Sequence, residues 1–273
     1  MLLDTKQERI DLMRVLLWSL LMFLTWTDSL KAELVKEMIR VPEGQWVPFV
    51  KENNGQKPIY IKSFFVDPYP VTNQEFLEFV KKHSKWQKNE VSKLFADENY
   101  LKHWERPLKI GKDVSKNSPV SNVSWFAAQA FCKSKEKTLP NTDQWEYMAQ
   151  IEEKKSQKAK EALRARILEW YSKPTQSHLP NVGSTSKNSL GIHDLFGLVW
   201  EWTFDFNTVL VTGESREDSS LNRGLFCGSG SLSSQDKENY PAFMRYALRS
   251  SLQGRSCVKN LGFRCVKTIG EKL

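Results

Sequence analysis

Few residues in this chain have side chains suited to redox or metal chemistry, and their spacing narrows the options. Four cysteines stand at Cys132, Cys227, Cys257 and Cys265, and four histidines at His83, His103, His178 and His193. No cysteine pair has the CxxC spacing of a zinc or redox site, and the histidines are scattered, so a histidine-built iron or zinc centre is not expected. The other feature is a carboxylate in an apolar place. In GIHDLFGLVWEWTFDF (191–206), Glu201 stands between Trp200 and Trp202. A buried carboxylate without a partner costs several kcal/mol, so something must compensate it. Calcium, which takes roughly six to eight oxygen ligands and accepts backbone carbonyls beside carboxylates, is one answer. An arginine such as Arg249 or Arg264 is the other.

These residues need a folded frame, and the composition supplies one. At 273 residues, 40% hydrophobic and 12% aromatic with ten tryptophans, the chain can bury one sizeable core and is unlike a disordered segment. VKEMIRVPEGQWVPFV (35–50) alternates around a Pro-Glu-Gly break as strand, turn and strand. Thr72 to Glu75 has the form of a capping box, with Phe76, Phe79 and Val80 forming one helical face behind it. Ser124 can cap a helix whose Trp125, Ala128, Phe131 and Cys132 share a face, and Asn141 with Gln144 can open another. Residues 84–118 are lysine-rich and weakly patterned, and read as a surface excursion. The last hundred residues hold short β-like runs at 198–206, 225–232, 243–250 and 262–267, separated by Gly, Ser and Asn clusters. The expected class is α+β, one loop-rich domain.

The net charge of +8 comes from dispersed lysines. The densest basic stretch, 152–170, suits a solvated helix, and no aromatic-interleaved basic stripe accompanies it, so no nucleic-acid partner is expected. Val15 to Trp26 is an uncharged apolar run, too short to span a bilayer and of the length of a secretory signal core. Residues 1–32 therefore read as an export signal, residues 33–273 as the domain, and the protein as periplasmic or secreted, with no stable membrane span after cleavage. Disulfides are permitted there.

The stretches MIRVPEGQWV, DPYPVTNQEFLEFV, PVSNVSWFAAQAFC, LPNTDQWEYMA, NVGSTSKNSLGIHDLFGLVWEWTFD, GSGSL, RYALRSS and NLGFRC follow one another in an order that resembles the formylglycine-generating enzyme family, the sulfatase-modifying factors. The resemblance runs from about Met38 to Lys267. It implies an irregular α+β fold related to the C-type lectins, bound calcium in many members, and, in the best-known members, copper held by two cysteines that oxidises a sulfatase cysteine with oxygen. Fold alone does not settle function in such a family.

Carried over by position, the resemblance implies a calcium loop made of Asp194, Gly197, Val199 and Glu201, and a second site touching Asn181 and Val182. It also implies a Cys132–Cys265 disulfide. It places the first copper cysteine at Ser234, three residues after Ser231, and the second near 239–241, where there is none. A hydroxyl cannot replace a thiolate for copper, so copper is not expected. Cys227 and Cys257 remain as a further disulfide, a relocated metal or redox pair, or two free thiols. The expected role is a calcium-stabilised binding or accessory protein, a pseudoenzyme whose groove would lie near Ser231, Ser234, Arg245 and Arg249 and whose partner is an unidentified protein or peptide. The two arginines can equally be structural. The alternative is a formylglycine-type oxidase using Cys227 and Cys257. A third role is as accessory to a periplasmic copper enzyme such as nitrite reductase.

Overall fold

The computed structural model describes residues 37–48, 58–151, 156–207 and 240–268. Residues 1–32, expected as an export signal, the 225–232 run, Cys227, Ser231 and Ser234 lie outside the described residues. From Met38 onward the chain clusters as one unit, Met38–Leu273.

The strands are short and alternate between covered and open faces. β1 (Ile39–Val41), β4 (Phe64–Val66) and β7 (Val266–Thr268) form an antiparallel sheet with β4 central, pairing Ile39 with Val66 and Phe64 with Thr268. β2 (Gly44–Trp46) pairs antiparallel with β3 (Ile59–Ile61). The Pro-Glu-Gly break therefore separates two strands that join different sheets. β5 (Trp200–Glu201) and β6 (Leu261–Gly262) form a two-residue parallel pair, extended by Trp202 N–H donating to the Gly262 carbonyl at 3.0 Å. Only this much of the 198–206 run is strand, and the 262–267 run divides between β6 and β7.

The helix starts follow local side-chain chemistry. α1 (Asn73–Lys82) opens with a reciprocal box. The Thr72 hydroxyl accepts from Glu75 N–H at 3.2 Å, and the Glu75 carboxylate accepts from Thr72 N–H at 2.7 Å. Ser124 caps α2 (Trp125–Lys133), and Asn141 with Gln144 boxes α3 (Thr142–Ala149). Ser156 caps α4 (Gln157–Ser172), which buries only Leu163 and Ile167 along its length and is otherwise the solvated helix expected from its charges.

Residues 243–250, expected as a strand-like run, lie instead in helix α5 (Tyr240–Ser251). The reason is visible in its burial: Arg245 and Arg249 are four apart, so a helix sets both on one face, and both are buried. The 84–118 stretch also departs from its reading as a surface excursion. Its lysines other than Lys88 are exposed, but Trp86, Ala96, Tyr100, Leu101 and Trp104 pass inward to a core shared with α1 and α2. The Trp104 indole donates to Asn73 Oδ1 at 2.8 Å, so a polar anchor at the start of α1 holds the segment down. Turns carry these residues, which is why no helical or strand period exposes them in the sequence.

The core has two parts. One gathers α1, α2, the 86–104 turns, Trp202 and Phe263; the other gathers β1 to β4, α3, α4 and the 192–196 loop. Cys132 of α2 and Cys265 are joined by a disulfide across 133 residues of sequence, fastening α2 to the segment that leads into β7. Such a bridge restricts the unfolded chain most when the loop it closes is long. Replacing both cysteines with alanine is expected to lower the unfolding free energy by about 2–4 kcal/mol, read from urea denaturation monitored by tryptophan fluorescence; an unshifted midpoint would show that the bridge contributes nothing.

Candidate functional site

The parallel pairing of β5 with β6 decides what compensates Glu201. With Glu201 opposite Gly262, Arg264 falls two residues further along the same face. Its guanidinium donates from Nε to Glu201 Oε2 at 2.8 Å and from Nη2 to Glu201 Oε1 at 2.8 Å, and both side chains are fully buried. The remaining Arg264 donors reach the carbonyls of His193 at 2.8 Å and Asp67 at 3.2 Å. The Trp145 indole donates to Glu201 Oε2 at 2.8 Å. Each polar atom of the pair is satisfied, which is the condition under which a buried ion pair is tolerated.

A second ion-pair cluster lies on the ring of that same tryptophan. Arg245 donates from Nε to Glu146 Oε1 at 2.8 Å and from Nη2 to Glu146 Oε2 at 2.6 Å, and Arg249 donates to Glu146 Oε1 at 2.9 Å. The Arg249 and Arg245 guanidinium carbons stand 4.9 Å and 5.6 Å from the Trp145 ring centre, within the range of cation–π attraction. Burial pushes the Glu146 carboxyl up, but the two guanidinia overcome it and hold its pKa below the ordinary value. Arg245 and Arg249 thus take the structural role, and the void beside them is only about 10 Å³. Among the described residues no wider space is seen beside them, and Ser231 and Ser234, expected with them, lie outside the described residues.

The other carboxylate of the loop is spent on the backbone. Asp194, in a left-handed conformation with φ +59, is fully buried. It accepts from Thr185 N–H at 3.0 Å, from the Thr185 hydroxyl at 2.7 Å and from Gly183 N–H. Gly197 has φ +104, a region that disfavours any side chain, and Val199 is buried. Asn181 is exposed and its Oδ1 accepts from the Ser115 hydroxyl, while Val182 N–H donates to the Asn117 carbonyl. Cys257 carries a buried free thiol that donates to the Arg255 carbonyl at 3.3 Å; burial, and secondarily the charge of Asp97, push its pKa well above the ordinary thiol value. A cleft of about 520 Å³ opens beside β5, between the end of α4 and the turns around 185 and 197.

A family model described as Sulfatase-modifying factor enzyme 1-like domain matches residues 26–269. The chain belongs to this family. It is 24% identical to the Inactive C-alpha-formylglycine-generating enzyme 2 of Bos taurus, over 85% of this chain and 88% of that protein. It is 26% identical to the Formylglycine-generating enzyme of Mus musculus, over 84% and 74%, and 26% to that of Streptomyces coelicolor, over 78% and 81%. Among solved structures, that of PvdO from Pseudomonas aeruginosa superposes over 85% of this chain and 94% of that one, at 16% identity and TM-score 0.49.

The family's metals can be tested against this chain's own donors. Calcium needs oxygens with unshared electron pairs turned towards it. Here both oxygens of Glu201 face N–H donors from a guanidinium and an indole, and both oxygens of Asp194 face N–H or O–H donors. As arranged, Asp194, Gly197, Val199 and Glu201 do not fit a calcium ion; the arginine alternative for Glu201 is the one the structure displays, with Arg264. At the second position the Asn181 Oδ1 accepts from Ser115, and the Val182 N–H, not its carbonyl, is the group engaged with Asn117. Copper would need two accessible thiolates. Among the described residues Cys132 and Cys265 are bonded to each other, and Cys257 is a buried thiol with a raised pKa.

The sequence named Glu201, Arg264, Arg245 and Arg249 but missed their organiser, Trp145, and the second acid, Glu146. Both lie in WEYMA, where an acid within an otherwise buried helical run was the available signal. Arg264→Leu is expected to cost about 3–5 kcal/mol, because it strands the Glu201 charge; calcium chelation is expected to leave the thermal midpoint of the unaltered protein unchanged. A drop on chelation alone would return Glu201 and Asp194 to calcium. The lowered Glu146 pKa carries a second expectation. A carboxyl with a folded pKa below its unfolded value of about 4.3 adds stability above that pH, and loses the contribution as pH falls through the folded value. Urea midpoints measured from pH 6 down to about 3 should therefore fall more steeply in the unaltered protein than in Glu146→Gln.

Proposed function

We propose that this chain is an exported, non-catalytic member of the sulfatase-modifying factor family that acts by binding, as an accessory to another protein. One observation carries the reading. The position where the family places its first copper thiolate is Ser234, and no cysteine stands between Cys227 and Cys257. The family's headline oxidation depends on a soft pair of sulfur ligands, and the chain has no such pair at the required positions. Support comes from Cys257, whose burial and raised pKa suit neither a metal ligand nor a nucleophile. That relatives bearing the name Inactive C-alpha-formylglycine-generating enzyme 2 occur among the matches shows that the frame persists in proteins named as inactive. Export rests on the apolar 15–26 run and its fit to a signal core.

The test is to incubate the exported protein with copper, reductant, oxygen and a sulfatase-type cysteine peptide and to follow peptide mass. No formylglycine product is expected, and Cys257→Ser should behave identically. Conversion that disappears in Cys257→Ser or Cys227→Ser would replace this reading with an oxidase built on those two residues.

A further inference from the structure

The cleft beside β5 carries chemistry that the charge clusters do not use. Its volume of about 520 Å³ is in the range of built ligand sites, roughly 300–1,000 Å³. One wall is aromatic: the Trp200 ring centre lies 4.8 Å from that of Tyr171, at an interplanar angle of 23°, and 5.1 Å from that of Trp170. The three rings come from α4 and β5, so both rigid elements fix the wall.

The polar groups around it are unbalanced. The indoles of Trp46, Trp104, Trp125, Trp145 and Trp202 each donate to an oxygen. Those of Trp170 and Trp200, which line the cleft, have no acceptor among the described residues, and neither nitrogen is among the buried unpartnered atoms, so both N–H groups stay open to solvent. The Arg166 guanidinium and the Gln176 amide at the rim are likewise unpaired among the described residues. The one carboxylate lining the cleft, Glu169, is exposed and pairs through one oxygen with Lys173 at 2.6 Å. Asn260 spends its amide N–H on Thr175, and Thr185 spends its hydroxyl on Asp194. The cleft therefore presents flat aromatic surface with indole, guanidinium and amide donors on it and a single, exposed and lysine-paired carboxylate at its rim.

A complementary ligand has flat apolar faces, many acceptors and few donors of its own. An oligosaccharide matches poorly, because each hydroxyl brings a donor and the cleft's free side-chain acceptors are few. A proline-rich chain matches on every count. Each proline contributes a carbonyl and no N–H, its ring packs on aromatic faces, and the polyproline II conformation is formed before binding, with about 3.1 Å of rise per residue and little ordering cost. We propose that the cleft formed by Trp170, Tyr171, Trp200, Arg166 and Gln176 is a docking site for a proline-rich segment of a partner protein, with the two indole N–H groups donating to its carbonyls. This names the partner class for the binding role proposed above and rests on that role.

The full chain would be titrated with a labelled oligoproline peptide, following anisotropy and tryptophan emission, with a chito-oligosaccharide as competitor. Saturable binding with a shift in tryptophan emission is expected. Trp170→Phe, which keeps a ring and loses the N–H, should weaken it roughly five- to tenfold, the loss of about one hydrogen bond. The exposed substitutions Arg166→Ala and Gln176→Ala, which leave the core untouched, should weaken it several-fold with the thermal midpoint unchanged. Absence of saturation, affinity unaltered in all three variants, or displacement by the oligosaccharide would overturn the assignment. The copper assay on the same preparation separates the two ideas. Peptide conversion sinks the non-catalytic reading whatever the oligoproline result, whereas a folded, copper-inert protein that ignores oligoproline sinks only this inference.

Discussion

The structure depends on how two buried carboxylates are neutralised around a single tryptophan. Glu201 and Glu146 approach Trp145 from different directions, one accepting from its indole N–H and the other bound to the arginines that lie over its ring. Unpaired, either charge would be expelled from the core or protonated. Paired, they oblige four separate pieces of chain to meet: α3 with Trp145 and Glu146, β5 with Glu201, α5 with Arg245 and Arg249, and the segment after β6 with Arg264. Few regular elements are available in this fold to impose such convergence by strand pairing, since β5 and β6 share only two residue pairs. The ion pairs stand in for a larger sheet. A buried pair seldom adds much net stability; its effect here is to make one arrangement of loops far better than the alternatives.

That arrangement also accounts for the loop that follows α4. Asp194 sits at the centre of its own small hydrogen-bond cluster and holds residues 183–185 against 194–196, while Arg264 ties the His193 carbonyl to the same ion pair that serves Glu201. Donors supplied by the chain itself occupy the positions where the family resemblance implied an ion. The result is a loop whose shape, as arranged, is held by hydrogen bonds among its own groups. The disulfide adds an independent constraint at the far side, anchoring α2 to the β7 approach.

Local features were legible in the sequence and convergent ones were not. The caps at Thr72, Ser124 and Asn141 are decided by side chains reaching the nearest turn, so their spacing alone places them. Glu201 was recognisable as a charge needing compensation, but its partner lies 63 residues away in sequence, and Arg249, an equal candidate, turned out to serve Glu146. The inward side chains of the 84–118 segment leave no mark in the sequence because irregular turns carry no period. The 243–250 stretch is short and apolar enough to suit a strand; as helix α5 it sets Arg245 and Arg249 on one face against Glu146, a reason that lies in α3 and not in the local sequence. The cleft was missed for the same cause. Trp170 and Tyr171 read as the end of a solvated helix, and only the fold brings Trp200 to them.

The two features bear on each other. Trp200 and Glu201 are neighbours on β5, so their side chains point to opposite faces of the strand: Glu201 goes inward to Arg264, and Trp200 goes outward to the cleft wall. Locking Glu201 between Arg264 and Trp145 therefore fixes the orientation of Trp200 without any contact to the cleft itself. A wall held from behind in this way loses little conformational entropy when a ligand lands on it, which is the condition for useful affinity from a modest surface. The chain thus builds this aromatic face on the same frame that the buried ion pair locks.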